Sequence, residues 1–203
     1  MIQYVKLSGK SKTVSKLRNH LLQAARDIVE SSGVQAISMR SLGEVANVSR
    51  GAAYRHFLDK HDLLCALAGS VGNELSSALA SSVNSNDSVK RQFQQMAKAY
   101  ITFSFQSEER YALIFNSPDL HRNPTDELRQ SLNEAFQRLV ELIEIGHADN
   151  SIVNESIEHQ ANFVWSSLHG FCTLMLGRKE QYDVHTADQA DFVINKLWRS
   201  LAR

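Results

Sequence analysis

The sequence predicts an all-α fold, and three observations carry that expectation. Prolines number two and glycines nine in 203 residues, so little punctuates the chain and long helices are favoured. Apolar residues recur at the spacing of a helix with one buried face, and the period-two alternation of a half-buried strand is not found. No internal repeat interrupts this pattern. About nine helices are expected, three short ones followed by a long fourth and a helical C-terminal body.

In chain order, residues 1–14 hold three lysines and no acid and lack periodicity, which reads as a flexible basic arm. It is either a terminus with no role or a contact to a nucleic-acid backbone. From Ser15, the residues Leu17, Leu21, Ala24, Ala25, Ile28 and Val29 form the apolar stripe of helix 1. Gly33 is placed to cap its C-terminus in the left-handed conformation. Ser38 is the expected N-cap of helix 2, with Leu42, Val45 and Ala46 turned inward. Asn47, Val48 and Ser49 make a tight turn, in which asparagine tolerates positive φ.

Ser49 is the expected cap of helix 3, whose core pair is Ala53 and Phe57 at i, i+4. Arg50, Gly51, Ala52, Tyr54 and Arg55 fall on the remaining surface. Asp59 caps helix 4, with Asp62 in its first turn and Leu63, Leu64, Leu67, Ala68, Val71 and Leu75 on one side. The polar run Ser81–Asp87 is the best boundary, giving a head of residues 15–75 and a body of residues 82–203. Body helices are expected over 88–106, 108–116, 125–147, 155–177 and 187–201. A loop runs between Pro118 and Pro124.

Lysine plus arginine balance aspartate plus glutamate at 22 each, but the balance is uneven along the chain. Residues 1–64 carry ten basic and five acidic residues, the remainder twelve and seventeen. A basic head on an acidic body points to a polyanion met by the head alone. Cys65 and Cys172 lie far apart with no metal-type spacing, so two free thiols in a reducing compartment are expected. No apolar run approaches the ~18 residues that span a bilayer, and no signal-peptide centre occurs near the N-terminus. A soluble, cytoplasmic protein without membrane contact follows from these observations. Enzyme signatures are missing: no phosphate-binding loop, no nucleophile elbow, no dinucleotide fingerprint and no zinc-protease helix. Neither catalysis nor a cofactor or metal is expected, and the Glu155, Glu158, His159 group reads as a solvated helix face.

A short basic helix held against two others is how a small domain enters the DNA major groove. Arg50 suits a bidentate pair with guanine O6 and N7, worth about 1–3 kcal/mol of discrimination. Ala52 could offer a methyl surface to thymine, and Gly51 lets the backbone approach closely. Tyr54, His56 and Lys60 are donors for phosphates, which position a protein without reading sequence.

The segments AARDIVESSG, MRSLGEVANVS and RGAAYRHFLDKHDLL resemble the DNA-binding domain of TetR-type transcriptional regulators across Leu21–Ala68. The resemblance implies a dimer, with Ser38 and Arg40 touching backbone or a flanking base. It implies Arg50, Gly51 and Ala52 at the base-facing start of the recognition helix, and Tyr54, His56 and Lys60 on phosphates, with Arg55 beside them. Asn47 stands where glycine is usual and Leu58 where proline is common. In FVWSSLHGFCTLML, Trp165, His169 and Gly170 resemble the Trp-His-Gly motif of one AcrR-like C-terminal class.

The resemblance further implies a repressor that binds a pseudo-palindromic operator as a homodimer and is released by a small lipophilic effector. An activator or dual regulator without inducer, and an all-helical protein-interaction module, remain as alternatives. By the same resemblance the body is a ligand-binding and dimerisation domain, with Met96, Tyr100, Phe103, Phe115, Trp165, His169 and Met175 as candidate pocket residues. His169 either donates to a ligand or satisfies a buried carbonyl, the second being favoured. The helices near 155–177 and 187–201 have the apolar content for a four-helix bundle with a second subunit.

Overall fold

The computed structural model describes residues 8–106, 108–178 and 186–203. Among them the helices are α1 (Ser8–Ser32), α2 (Met39–Val45), α3 (Arg50–Tyr54), α4 (Lys60–Ser82), α5 (Val89–Gln106) and α6 (Glu108–Phe115). They continue with α7 (Pro118–Arg122), α8 (Asp126–Ala148), α9 (Ile157–Leu176) and α10 (Thr186–Leu201), and a 3-10 turn covers Val34–Ala36. The nine expected helices are present. The tenth is the five-residue α7, which forms inside the expected Pro118–Pro124 loop. Proline at its first position fits, since that N–H has no partner in a helix start. Helix α1 begins at Ser8, so the second half of the expected arm is helical, while residues 1–7 lie outside the described residues.

The head folds as its local signals require. Leu21, Ala24, Ala25, Ile28 and Val29 are buried on one face of α1. Gly33 ends the helix with its N–H on the Val29 carbonyl at 2.8 Å. Its φ of +77° is one that glycine adopts without steric cost, although ψ of 166° makes it extended and not left-handed helical. Ser38 and Ser41 cap α2 reciprocally, each side chain accepting from the other's backbone N–H at 2.9 Å. Serine thus plays the part that glutamate or glutamine takes in the usual capping box.

Asn47 adopts φ +51°, and the following Val48 N–H reaches the Gly43 carbonyl at 2.9 Å, closing the turn. Val45 is 52% exposed and does not join the core. Met39, Leu42, Gly43 and Ala46 already fill the inner face, and Val45 lies roughly 100° round the helix from its centre.

Ser49 accepts from Ala52 N–H and caps α3, while Ala53 and Phe57 are buried against α1, α2 and α4. Asp59 accepts from Asp62 N–H at 2.8 Å, and Asp62 accepts in return from Leu58 N–H at 2.9 Å. That pair of bonds fixes the entry into α4 and places both carboxylates at the positive end of the helix.

Helix α4 is the spine that both halves share. It packs most extensively along α8 and also against α1, α5 and α6. By length and composition it could cross a membrane, contrary to the expectation that no run comes near that limit. Its apolar surface is instead covered by these helices, with Leu63, Leu67, Val71, Leu75 and Leu79 buried. The crossing with α8 is close: a Cβ at Gly72 would lie 2.7 Å from Ser131 Oγ.

Tyr100, Tyr111, Phe93 and Leu113 are fully buried in the body, and Phe93 meets Trp198 of α10 with ring centroids 5.7 Å apart. The chain end is pinned where Val153 N–H reaches the Leu201 carbonyl at 2.8 Å and Arg203 N–H the Ser151 carbonyl at 3.2 Å. Cys65 and Cys172 are both buried free thiols.

Candidate nucleic-acid interface

Helix α3 is only five residues long, so its faces follow from helical phase. Arg50, Gly51, Tyr54 and Arg55 share an exposed arc of roughly 140°. Ala52 and Ala53 lie on the other side. Ala52 is only 6% exposed, which corrects the expectation that its methyl faces a base: it is packed inward, and its N–H is taken by Ser49. Gly51 faces outward with no atom within 4 Å of a Cβ built there, so its free side is open to an approaching surface.

The exposed side chains are already ordered by neighbours on their own helices. Arg50 Nη2 donates to the Tyr54 hydroxyl at 3.3 Å, and its guanidinium lies 5.5 Å from the Tyr54 ring centroid. Arg40 Nε donates to Glu44 Oε1 at 2.9 Å, and that bond raises the guanidinium pKa. Arg40, Gly43, Glu44, Asn47, Val48, Ser49 and Arg50 line one shallow cleft between α2 and the start of α3.

Ser38 is exposed, but its hydroxyl is engaged by Ser41 in the cap. Arg55 is exposed, and His56 and Lys60 are half-buried. Arg40, Arg50, Gly51, Tyr54 and Arg55 thus stand out from α2, α3 and the turn after it. Exposed Glu44, which stands among the basic groups, was not singled out by sequence reasoning. Its i+4 spacing from Arg40 was the available signal.

Charged contacts join the head to the body. Glu74 of α4 accepts from Arg26 of α1, through Nη1 at 3.1 Å and through Nη2, and from Arg110 of α6 at 2.9 Å. Arg110 also pairs with Glu30 of α1 at 3.1 Å. The Glu74 hydrogen bond is the main reason the Arg26 pKa is raised. Arg18 of α1 pairs with Glu127 of α8 at 2.8 Å. One histidine spans the same junction, His61 bonding the Asn123 carbonyl at 2.8 Å.

Of the candidate pocket residues, four come together. Tyr100 and Trp165 are 5.1 Å apart by ring centroids, Phe115 and His169 4.8 Å, and Tyr100 and Phe115 6.3 Å. Met96 joins Tyr100 and Trp165 along an apolar crevice whose free space, about 10 Å³, is one water's worth. Among the described residues, Phe103 is buried without a ring contact to this group and Met175 does not line the crevice.

His169 satisfies a phenol and not a carbonyl, since Nδ1 and the Tyr111 hydroxyl share a 2.7 Å hydrogen bond. Tyr111 in turn lies 3.3 Å from the Tyr100 hydroxyl. Burial pushes both phenols up, lowers the His169 pKa with help from His121, and pushes the Cys172 thiol up to about 11. Sequence reasoning missed Tyr111 as the centre of this network. It also missed an open groove of about 510 Å³ between α5 and α10, lined by Ile101, Phe105, Ala187, Ala190 and the Lys98–Asp191 ion pair.

A three-helix unit that holds an arginine- and tyrosine-bearing helix outward, on an all-helical body, defines a helix-turn-helix DNA-binding regulator. Residues 21–67 match the family model for bacterial regulatory proteins of the tetR family, and residues 93–197 that for the tetracyclin repressor-like C-terminal domain. The chain belongs to the TetR family of DNA-binding transcriptional regulators.

Solved structures share its fold. A Rhodococcus sp. RHA1 protein of unknown function is 26% identical over 100% of both chains, with a TM-score of 0.81. A TetR-family transcriptional regulator from Haemophilus influenzae is 17% identical, covering 95% of this chain and 100% of its own, with a TM-score of 0.66. The transcriptional regulator FadR from Bacillus subtilis, in complex with stearoyl-CoA, is 15% identical over 88% and 96% of the two chains, with a TM-score of 0.69.

Proposed function

We propose that this regulator is a cytoplasmic, ligand-responsive repressor that binds a pseudo-palindromic operator as a homodimer. The observation that carries the DNA contact is the outward arc of α3, where Arg50, Tyr54 and Arg55 stand above a floor of Ala53 and Phe57. In this reading Arg50 reads a base, and Gly51 lets the backbone approach. Tyr54, Arg55, His56 and Lys60 hold phosphates, and Ser38 and Arg40 touch backbone or a flanking base.

Dimerisation is supported by large apolar side chains left exposed on the last two helices: Phe163 at 48% and Leu174 at 57% on α9, and Phe192 at 63% on α10. Ser167 and Gly170 lie between Phe163 and Leu174 at heptad-like spacing, and a Cβ at Gly170 would meet nothing within 4 Å, so a second helix has room to approach. Two subunits joined there would present two copies of α3 about one DNA turn apart. Trp165, His169 and Gly170 support placing the body in the Trp-His-Gly class, since the first two lie together in the aromatic cluster.

An effector would act by favouring the spacing of the two heads that does not fit the operator, and by no more than its differential affinity for the two states. The FadR complex makes long-chain acyl-CoA the first probe. One observation favours the alternative of an activator or dual regulator without inducer: the crevice beside Tyr100 and Trp165 is too small for such a ligand. The open α5–α10 groove is the better candidate for a small lipophilic effector.

The test is a gel shift on the DNA upstream of the gene at two salt concentrations, with and without stearoyl-CoA and shorter acyl-CoAs. A sequence-selective complex that weakens steeply with salt and is released by a lipophilic compound supports the whole reading. A selective complex that no such compound releases favours the alternative, and an unselective one removes the operator reading.

A further inference from the structure

Two of the outward arginines of the head, Arg40 and Arg50, are held by their i+4 neighbours in different ways. Arg50 gives Nη2 to the Tyr54 hydroxyl at 3.3 Å. Arg40 gives Nε to Glu44 at 2.9 Å. The difference decides which donors stay free. A guanine is read by two parallel N–H groups on O6 and N7, and in the end-on approach these are the two Nη groups. The bond to Tyr54 takes one of the two N–H groups on Nη2 and ties that end of the Arg50 fork to the Tyr54 side chain. The bond to Glu44 leaves both Nη groups of Arg40 without a partner among the described residues.

Glu44 is also misplaced on grounds of charge. It is exposed and lines the same cleft as Arg50, Asn47 and Ser49, where docking to DNA brings it near phosphates and costs repulsion. In water an exposed ion pair of this kind contributes little to stability, so folding does not explain it.

We propose that Glu44 is a positioning residue for base recognition. It grips Arg40 by Nε and holds the Nη1/Nη2 fork out from α2 toward a guanine edge, while its own charge weakens binding to unrelated DNA. A restrained fork loses less freedom when it meets the base, so the pair sharpens selectivity from both sides. This inference rests on the reading of the α2–α3 face as the DNA-facing one.

The test uses the full chain and an operator selected by the wild-type protein from a pool of randomised duplexes. Dissociation constants are measured on that operator, on copies with each G·C pair replaced in turn, and on an unrelated duplex. Arg40→Ala is expected to abolish the preference for guanine at one position, roughly five- to hundredfold. Glu44→Ala is expected to reduce the preference at that same position by roughly fivefold or more, while binding to the unrelated duplex tightens and its salt slope steepens by about one. Glu44→Gln keeps an acceptor for Nε, so it restores the guanine preference but retains the tighter unrelated binding.

Both side chains are exposed, so melting temperatures should stay at the wild-type value. The inference is overturned if Glu44→Ala leaves that guanine preference intact, or shifts operator and unrelated duplex by the same factor. It is equally overturned if all guanine preference follows Arg50. A pool from which the wild type selects no sequence overturns the DNA-facing reading itself.

Discussion

On α3, Arg50, Tyr54 and Arg55 stand in solvent, whereas in the body Tyr100, Tyr111 and His169 turn inward and bond to one another. The head keeps exposed donors, which the proposed reading gives to DNA, on a frame of caps and a buried floor that includes Ala52, Ala53 and Phe57. The body turns the polar groups of its aromatic cluster inward. Its phenols and imidazole are satisfied internally, and the crevice beside them is nearly filled. A ligand could bind the head by adding contacts, but could enter the aromatic cluster only by replacing contacts already made. Between the two regions lies α4, where Glu74 receives one arginine from the head and one from the body.

The largest expected effect breaks the floor of the head. Phe57 is 1% exposed beneath α3, and Phe57→Ala should cost about 3–5 kcal/mol of unfolding free energy by emptying that site. Denaturant titration measures it. A loss below ~1 kcal/mol would mean that the head does not depend on this residue.

Next in size is one substitution made in both regions. Tyr111→Phe removes a hydroxyl that bonds His169 and Tyr100 in the core and should cost about 1–3 kcal/mol. Tyr54→Phe removes an exposed hydroxyl and should change stability by no more than ~0.5 kcal/mol, yet weaken binding to every duplex. Thermal melts and binding curves on both variants check the contrast. Equal losses of stability would erase it.

Within the head, Lys60→Ala should weaken operator and unrelated DNA alike and reduce the salt slope by about one. Arg50→Ala should fall mainly on one base pair, by about 1–3 kcal/mol or less if Arg40 carries the stronger contact. Fluorescence anisotropy at several salt concentrations separates these. Uniform loss for Arg50→Ala would make it a phosphate contact.

The same contrast governs what the sequence reveals. The caps Ser38, Ser49 and Asp59 and the positive φ of Asn47 are local, set by neighbours within four residues, and all are as expected. Phase fails in the shortest helices. Val45 and Ala52 sit in helices of seven and five residues, too short for an apolar pattern to settle which side is in. In the body the informative contacts are distant, such as Tyr111 with His169, 58 residues apart. A stripe of aromatics announces a core without saying which members touch. The groove between α5 and α10 is less legible still, because its walls come from segments with no mutual sequence signal.

The smallest expected effect is a dependence on pH that arises in the body's core. His169 has its pKa lowered by burial first and by the nearby His121 second. In the unfolded chain the imidazole returns to its ordinary value near 6.5, so below that pH the unfolded state binds a proton that the folded state resists. Stability therefore falls as the solution is acidified through 6.5, until the folded-state pKa is passed and the two states again bind equally. His169→Gln removes the titrating group and should flatten the fall in melting temperature between pH 7 and 5, whatever it does to absolute stability. A fall that stays as steep in His169→Gln as in the wild type would move the acid sensitivity out of the body's hydrogen-bonded core.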